Sequence, residues 1–238
     1  MKPTKPASEM SVKELASYID QSVLKPEFTK EDIKRYTQEG IDFGCRTICI
    51  NPASLEIVAP MVAGTDTDIC VVCDFPFGLS TTASKVHQAE EYLDHYDILD
   101  LDIVANYGRL RSGDLDFVTK DIAAVVDVCH GKGTNVKVII ETDSLTPDQI
   151  VDGTECAIKA KADFIKTSTG FFTGGKSDGA TSQVIALLLK TAAGRIKVKG
   201  AGAIRTREHF LELIDMGIDR MGVGFRSTPT VLGIADKA

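Results

Sequence analysis

The feature that most limits how this 238-residue chain can fold is an eightfold alternation of strand-like and helix-like segments. Short runs rich in Ile, Val and Leu recur at 18–23, 46–51, 68–75, 98–106, 135–142, 163–169, 196–202 and 219–224. Between them lie amphipathic stretches at 29–43, 53–63, 82–96, 115–130, 146–161, 180–193 and 206–216. A short helix from 228 closes the series, and another over 11–17 precedes it. The start of the 146–161 segment, Thr-Pro-Asp-Gln, shows the local logic. Threonine caps the first turn, and proline follows where a missing N–H removes no helical bond. Strands alternating with helices imply a parallel sheet covered by helices. Eight such units in a chain of this length predict an α/β fold of the closed (β/α)8 TIM-barrel type, with a doubly wound open sheet as the competitor. No linker or compositional break divides the chain. One domain over 1–238 is expected, with 1–10 as a polar N-terminal tail.

Composition narrows the class of function. A hydrophobic content of 43% is that of an ordinary globular protein. A formal charge of −7 argues against a nucleic-acid or anionic-membrane surface. No long uncharged apolar run and no signal-peptide pattern is present, so a cytoplasmic protein without a membrane partner is expected. Of the six cysteines, Cys70 and Cys73 have metal-site spacing. Residues three apart on a strand face opposite ways, so these two thiols should not converge. Cys45, Cys49, Cys129 and Cys156 supply no second such pair, and the four histidines fall in helix-like segments. No metal centre is expected.

Alternation along the strands sends charge into the barrel. In the fourth strand, Asp100, Asp102, Val104 and Asn106 share one face, and Leu99, Leu101, Ile103 and Ala105 share the other. The apolar face must meet the helices, so Asp100 and Asp102 point inward. The same reasoning turns Lys137, Ile139 and Glu141 inward on the fifth strand, Phe164, Lys166 and Ser168 on the sixth, Lys197 and Lys199 on the seventh, and Asp20 on the first. Barrel active sites sit at the C-terminal ends of the strands. A structural ion-pair network would explain any one of these charges. It explains the set less well, because buried networks carry a large desolvation cost. Two lysines at matching strand ends, Lys166 and Lys199, repel one another, which is one way to obtain a neutral nucleophilic amine. That pattern points to covalent chemistry on a carbonyl compound.

Seven segments, in order along the chain, carry a family resemblance. They are Asp20-Gln-Ser-Val-Leu-Lys-Pro, Cys49-Ile-Asn-Pro, Asp74-Phe-Pro-Phe-Gly, Asp100-Leu-Asp-Ile-Val-Ala-Asn, Lys137-Val-Ile-Ile-Glu-Thr, Asp163-Phe-Ile-Lys-Thr-Ser-Thr-Gly and Val198-Lys-Gly-Ala-Gly-Ala-Ile-Arg-Thr. From about Tyr18 to Arg226 the chain resembles the deoxyribose-phosphate aldolase family, class I aldolases with a barrel fold. The resemblance implies reversible cleavage of 2-deoxyribose 5-phosphate to acetaldehyde and glyceraldehyde 3-phosphate. It implies a Schiff base on Lys166, amine activation and proton exchange by Lys199, and a proton relay at Asp102. Asp20 and Lys137 would support the network, and Cys49 would lie near the pocket. The resemblance also implies a homodimer, and the chemistry requires no organic or metal cofactor.

The phosphate end departs from the family pattern. By resemblance, and by the habit of barrels to bind phosphate on their last loops, the candidates are Gly170, Gly202, Ala203, Arg205, Gly222, Gly224 and Arg226. Where the family usually has Gly-Gly, this chain has Gly202-Ala203, and where it usually has a serine loop, this chain has Gly224-Phe225. Gln21 stands where histidine is common. A different or unphosphorylated sugar aldehyde is therefore an alternative substrate. Two readings from other classes compete. Gly170-Phe-Phe-Thr-Gly-Gly-Lys176-Ser177 fits the P-loop pattern of NTPases, although Asp178-Gly179 disfavours the helix that should follow. Otherwise the stretch reads as a mobile loop over the site. A non-catalytic sugar-phosphate sensor would have no need of Lys166, Lys199 and Asp102 together.

Overall fold

In the computed structural model, which describes residues 3–235, eight parallel strands close into a barrel in chain order. The strands are β1 (Ile19–Val23), β2 (Thr47–Ile50), β3 (Asp68–Cys73), β4 (Asp100–Val104), β5 (Asn135–Ile139), β6 (Phe164–Lys166), β7 (Lys197–Ala201) and β8 (Arg220–Gly224). β8 pairs back to β1, which excludes the open sheet. The helices are α1 (Val12–Ala16), α2 (Lys30–Phe43), α3 (Leu55–Val62), α4 (Thr82–His95), α5 (Tyr107–Arg111), α6 (Leu115–Gly131), α7 (Pro147–Lys159), α8 (Ser182–Ala192), α9 (Arg207–Met216) and α10 (Thr228–Leu232). Among the described residues, no helix is long and apolar enough to cross a membrane.

Local chemistry starts these helices where the sequence signals them. Thr29 and Asp32 form a reciprocal capping box on α2, and Thr146 and Gln149 form one on α7 with Pro147 in the first turn. Gly44 ends α2 in a left-handed conformation, φ 74°, which only glycine adopts cheaply. Between barrel and helices lies a continuous apolar layer that includes Ile48, Val71, Leu101, Ile103, Val138, Ile165 and Val198. These are the residues whose alternation sends their neighbours into the lumen.

The strand ladders are shorter than the apolar runs that announce them. Residues 140–142 read as part of the fifth strand, but Glu141 adopts φ 55° and turns the chain into a short 3-10 turn, Thr142–Ser144. The sixth ladder stops at Lys166. The extended residues beyond it, Thr167–Thr169, leave the ladder to build the top of the barrel. α5 was not anticipated; it starts where the Asn106 side chain accepts a hydrogen bond from the Arg109 N–H. The helix expected over 53–63 is a 3-10 turn, Pro52–Ser54, followed by α3. The tail expected over 1–10 is in part docked. Ala7 is fully buried and its N–H donates to Asp215 Oδ1 at 2.7 Å, while residues 1 and 2 lie outside the described residues.

One buried ion pair lies outside the barrel. Lys85 of α4, fully buried, meets Asp121 Oδ2 of α6 at 2.6 Å and donates to the Val104 carbonyl at 3.1 Å. Thr82 Oγ1 completes the site by donating to Asp121 Oδ1 at 2.6 Å. Without Asp121 the buried ammonium would keep only the longer contact to Asp74, at 3.6 Å, and most of its charge would be left uncompensated in the core. Asp121→Ala is expected to lower unfolding free energy by about 3–5 kcal/mol. Urea denaturation of the variant against the parent checks this.

Candidate active site

Register decides which inward side chains meet. Asp102 on β4 lies beside Lys137 on β5, Lys166 on β6 lies beside Lys199 on β7, and Cys49 on β2 lies beside Cys70 on β3. The lumen therefore holds a ladder of alternating charge. At its lower end, Arg220 Nη1 meets Asp20 Oδ1 at 2.8 Å and Asp100 Oδ2 at 3.5 Å. Lys137 Nζ sits above them, 2.6 Å from Asp100, 3.2 Å from Asp102 and 3.5 Å from Asp20. Lys199 Nζ contacts Asp20 Oδ2 at 2.6 Å and Asp102 Oδ2 at 2.7 Å. Lys166 Nζ contacts that same Asp102 Oδ2 at 2.7 Å. Asp20, Asp100, Asp102, Lys137, Lys166 and Lys199, read as inward from strand alternation, thus converge, with Arg220 as a member that sequence reasoning missed; Asn106 and Glu141 do not join them, the one capping α5 and the other meeting Thr169. Lys197, also expected inside, opens to solvent at the N-terminal end, its ammonium 5.1 Å from the Phe164 ring centroid.

The two reactive-looking lysines do not simply face each other. They share one carboxylate oxygen, and that bridge offsets the repulsion expected between them. Burial alone would raise the Asp102 carboxyl, but Lys137, Lys166 and Lys199 outweigh it and hold the group well below the usual carboxylate range. Burial would likewise raise Asp20, and Lys137, Lys199 and Arg220 reverse the direction. Burial would lower Lys199, but Asp102 and Asp20 hold it well above the usual ammonium range. Glu141 behaves differently. Burial raises its carboxyl, only partly opposed by hydrogen bonds from the Thr169 hydroxyl and N–H. That contact ties the end of β5 to the loop that follows Lys166.

The cysteines divide as strand alternation requires. Cys73 faces α4, with its thiol 3.6 Å from the Lys85 carbonyl, whereas Cys70 faces the lumen and donates to Asp102 Oδ1 at 3.1 Å. Cys70 meets Cys49 of the next strand, a convergence the spacing within one strand could not show. The neighbouring Cys70 side chain lowers the Cys49 thiol, against burial, while burial raises Cys70 well above its usual value. The Cys49, Cys70 and Asp102 ligand atoms lie within 4.8 Å of one another. Three ammonium groups already occupy that carboxylate, so a cation there would compete with all of them.

Above the ladder opens a cavity of about 240 Å³. Lys166 lies at its base, and Gly170, Gly202, Ala203, Arg205, Gly222 and Gly224 line it. Arg226 does not line it, although it was expected to; its guanidinium lies 5.2 Å from the Phe225 ring. Phe225 does line the cavity and packs on Tyr36, ring centroids 3.8 Å apart. Cys49 lies below the wall rather than in it. Ala203 adopts φ 57°, so the chain keeps a left-handed turn there without glycine. Gln21 points away from the lumen, donating to the Tyr36 carbonyl at 2.6 Å. Lys25 and Phe171 also line the cavity and were not anticipated as site residues. Loop residues have no period from which a facing can be read.

The P-loop reading does not survive the geometry. Thr181 caps α8, which begins only at Ser182. Lys176 is exposed and pairs with Asp178 at 2.7 Å, and Ser177 Oγ donates to Asp143 Oδ2 at 2.7 Å. Asp143 also accepts from the Asp178 and Gly179 N–H groups, so the loop is pinned from the end of β5.

A closed barrel with a lysine at the floor of a C-terminal cavity defines a class of carbonyl-processing enzymes. Comparison with known proteins makes the assignment specific. The family model for DeoC/LacD family aldolases matches residues 15–227. A deoxyribose-phosphate aldolase of Bacillus cytotoxicus is 42% identical over 208 residues, covering 87% of this chain and 91% of that protein. Among solved structures, an aldolase designated QR15 superposes with TM-score 0.84 at 32% identity, covering 94% of this chain and 96% of that one. A tetrameric deoxyribose phosphate aldolase from Aeropyrum pernix superposes with TM-score 0.84 at 26% identity, covering 94% and 91%. The chain belongs to the DeoC/LacD aldolase family. It is a class I aldolase, an aldehyde-lyase.

The depressed carboxylates tie stability to pH. Their folded values lie below the unfolded value of about 4, so their contribution is complete above that value. It is lost as pH falls toward the folded values. Asp20→Asn is expected to flatten the fall in unfolding free energy between pH 4 and pH 3, by up to about 1.4 kcal/mol per pH unit. Urea titrations at the two pH values measure it.

Proposed function

We propose that this protein reversibly cleaves 2-deoxyribose 5-phosphate to acetaldehyde and glyceraldehyde 3-phosphate, with Lys166 forming the Schiff base. One observation carries the assignment of the nucleophile. Among the described residues, Lys137 contacts three carboxylates, Lys199 two and Lys166 only one, and Lys166 alone of these lines the cavity. The amine with the fewest ionic contacts and an open side is the one placed to reach a substrate carbonyl. The charge count agrees. Lys137, Lys166, Lys199 and Arg220 face three carboxylates, Asp20, Asp100 and Asp102. A neutral Lys166 leaves that buried cluster balanced.

The reaction follows from this arrangement. Lys166 first gives its ammonium proton to Asp102, directly or through a water, and the neutral amine adds to the aldehyde carbon C1 of the open-chain sugar, its N–H proton passing to the new oxygen to give a carbinolamine. Asp102 returns the proton to the departing hydroxyl, so water leaves, the iminium forms and Asp102 is again a carboxylate. The C3 hydroxyl proton leaves toward Asp102 or a water beside it, the C2–C3 bond breaks, and its electron pair moves into the C1–C2 enamine. The C3 fragment departs as glyceraldehyde 3-phosphate. Protonation at C2 and hydrolysis release acetaldehyde and regenerate the amine. Lys199, held as ammonium by Asp20 and Asp102, keeps Asp102 oriented and works as the proton reservoir. Asp20 and Lys137 hold the cluster in place. The backbone of Gly170, Gly202, Ala203, Gly222 and Gly224 surrounds the phosphate, with Arg205 at the rim. This chemistry draws on no metal or organic cofactor. The whole chain is read as one catalytic domain, cytoplasmic, and homodimeric as the family resemblance implies.

Borohydride reduction in the presence of acetaldehyde is expected to leave an ethyl group on Lys166, located by peptide mass spectrometry. An intact, folded protein without that adduct would overturn the assignment. Lys166→Ala is expected to abolish cleavage. Lys199→Leu leaves Lys166 alone on Asp102 Oδ2, with Lys137 still on Oδ1, and removes the neighbouring ammonium whose repulsion favours a neutral amine. Its activity is expected to fall by about 100-fold or more and its pH optimum to move upward. An unchanged pH profile would exclude the role given to Lys199.

A further inference from the structure

The cavity wall has a charge pattern opposite to that of the protein. The chain carries a net charge of −7, yet no aspartate or glutamate lines the cavity, while Lys25, Lys166 and Arg205 do. Lys166 lies at the floor and is held by Asp102. Lys25 and Arg205 have no carboxylate partner among the described residues. Two unpaired cations on an acid-free wall form an anion site.

Lys25 comes from an unexpected place. It follows β1, and β1 lies beside β8 because the barrel closes there. The loop after β1 therefore borders the same mouth as the loops after β6, β7 and β8. Lys25 Nζ stands 5.4 Å from the Phe171 ring centroid, and that ring packs edge-on against Phe75 at 5.4 Å. The aromatic face holds the ammonium over the cavity. On the neighbouring strand, Gly224 offers no side chain, and a Cβ there would meet nothing within 4 Å. The space beside it is open, and the hydroxyls on the cavity wall come instead from residues such as Ser22 and Ser227.

Resting on the phosphorylated-sugar reading above, we propose that Lys25 is the specificity-determining residue of this enzyme. With Arg205 of the loop after β7, the Lys25 ammonium supplies the charge that holds the phosphate dianion, where Gly224 and Phe225 supply no hydroxyl. A charged contact of this kind is strong and directional in charge only, so arginine should replace lysine in part. Lys25 does not touch the Lys166 and Asp102 cluster, so its loss should act on substrate choice and leave the chemical steps intact.

The test compares cleavage of 2-deoxyribose 5-phosphate and unphosphorylated 2-deoxyribose by the parent, Lys25→Met and Lys25→Arg. The parent is expected to prefer the phosphorylated sugar. Lys25→Met should lower kcat/KM for that sugar by about 10- to 100-fold, mainly through KM, and leave the unphosphorylated sugar unaffected. Lys25→Arg should recover part of the preference. Inorganic phosphate should inhibit the parent more strongly than Lys25→Met. If the parent prefers the phosphorylated sugar and Lys25→Met keeps that preference in full, the role of Lys25 is overturned and the reaction assignment stands. If the parent shows no preference, the phosphorylated-substrate reading falls, and the role of Lys25 falls with it.

Discussion

The Asp102 carboxylate is the contact on which the rest of the lumen depends. Its two oxygens receive Lys137, Lys166, Lys199 and the Cys70 thiol. None of these groups has water to fall back on, since the side chains are 0–4% exposed. Bringing one ammonium into a barrel core costs several kcal/mol, and here three are brought in around a single anion. The arrangement holds only because Asp20 and Asp100 lie below and share the load with Arg220. Eight strands closing in register are what deliver these groups from β1, β4, β5, β6, β7 and β8 to one axis. Removal of Asp102 would therefore be felt in folding as well as in chemistry.

The ladder also explains how one fold keeps three lysines chemically distinct. Depth alone does not separate them, because Lys137 and Lys199 are both wholly buried and Lys166 nearly so. The number of carboxylates around each does. Lys137 is locked as a structural cation, Lys199 is a cation with two anchors, and Lys166 has a single anchor that it shares. The amine nearest the opening is thus also the one with the fewest ionic contacts. Repulsion between two neighbouring lysines, the simplest reading of the sequence, is only part of this. The shared oxygen brings the lysines together and lets a proton lost by one be felt by the other.

What could be read from the sequence followed the strand period, and what could not lay outside it. Asp100, Asp102, Lys137, Lys166 and Lys199 alternate with Leu101, Ile103, Val138, Ile165 and Val198, so their inward facing was legible before any register was known. The pairing of Cys49 with Cys70 was not, because it depends on which rung of β2 meets which rung of β3. Arg220 does follow the period, alternating with the outward Met221 and Val223, and was overlooked; only its partners on β1 and β4 required the register. Strand ends were overestimated where the chain stays apolar after leaving the ladder, as at Ile140, before Glu141 turns it. Loop residues carry no period at all. Arg226 was expected at the site and stacks outside it, while Lys25 lies inside it.

That division mirrors a division of labour in the molecule. The covalent step proposed for Lys166 falls to a strand residue, whose position is over-determined by hydrogen bonding and packing on both faces. The substrate choice proposed for Lys25 falls to loops, which tolerate change. Ala203 shows how far this tolerance extends. It occupies φ 57°, a left-handed conformation that costs a residue with a Cβ about 1–2 kcal/mol, yet the turn over the cavity is retained. The loops after β1, β6, β7 and β8 then differ from the rest of the surface in one respect that matters for an anionic substrate. A net charge of −7 disfavours such a molecule on average, whereas the wall around Lys25 and Arg205 carries cations and no carboxylate. On the proposed reading, an anion held there would leave its aldehyde end facing the floor where Lys166 stands. Charge at the mouth and a single-anchored amine at the base would then orient the same molecule from its two ends.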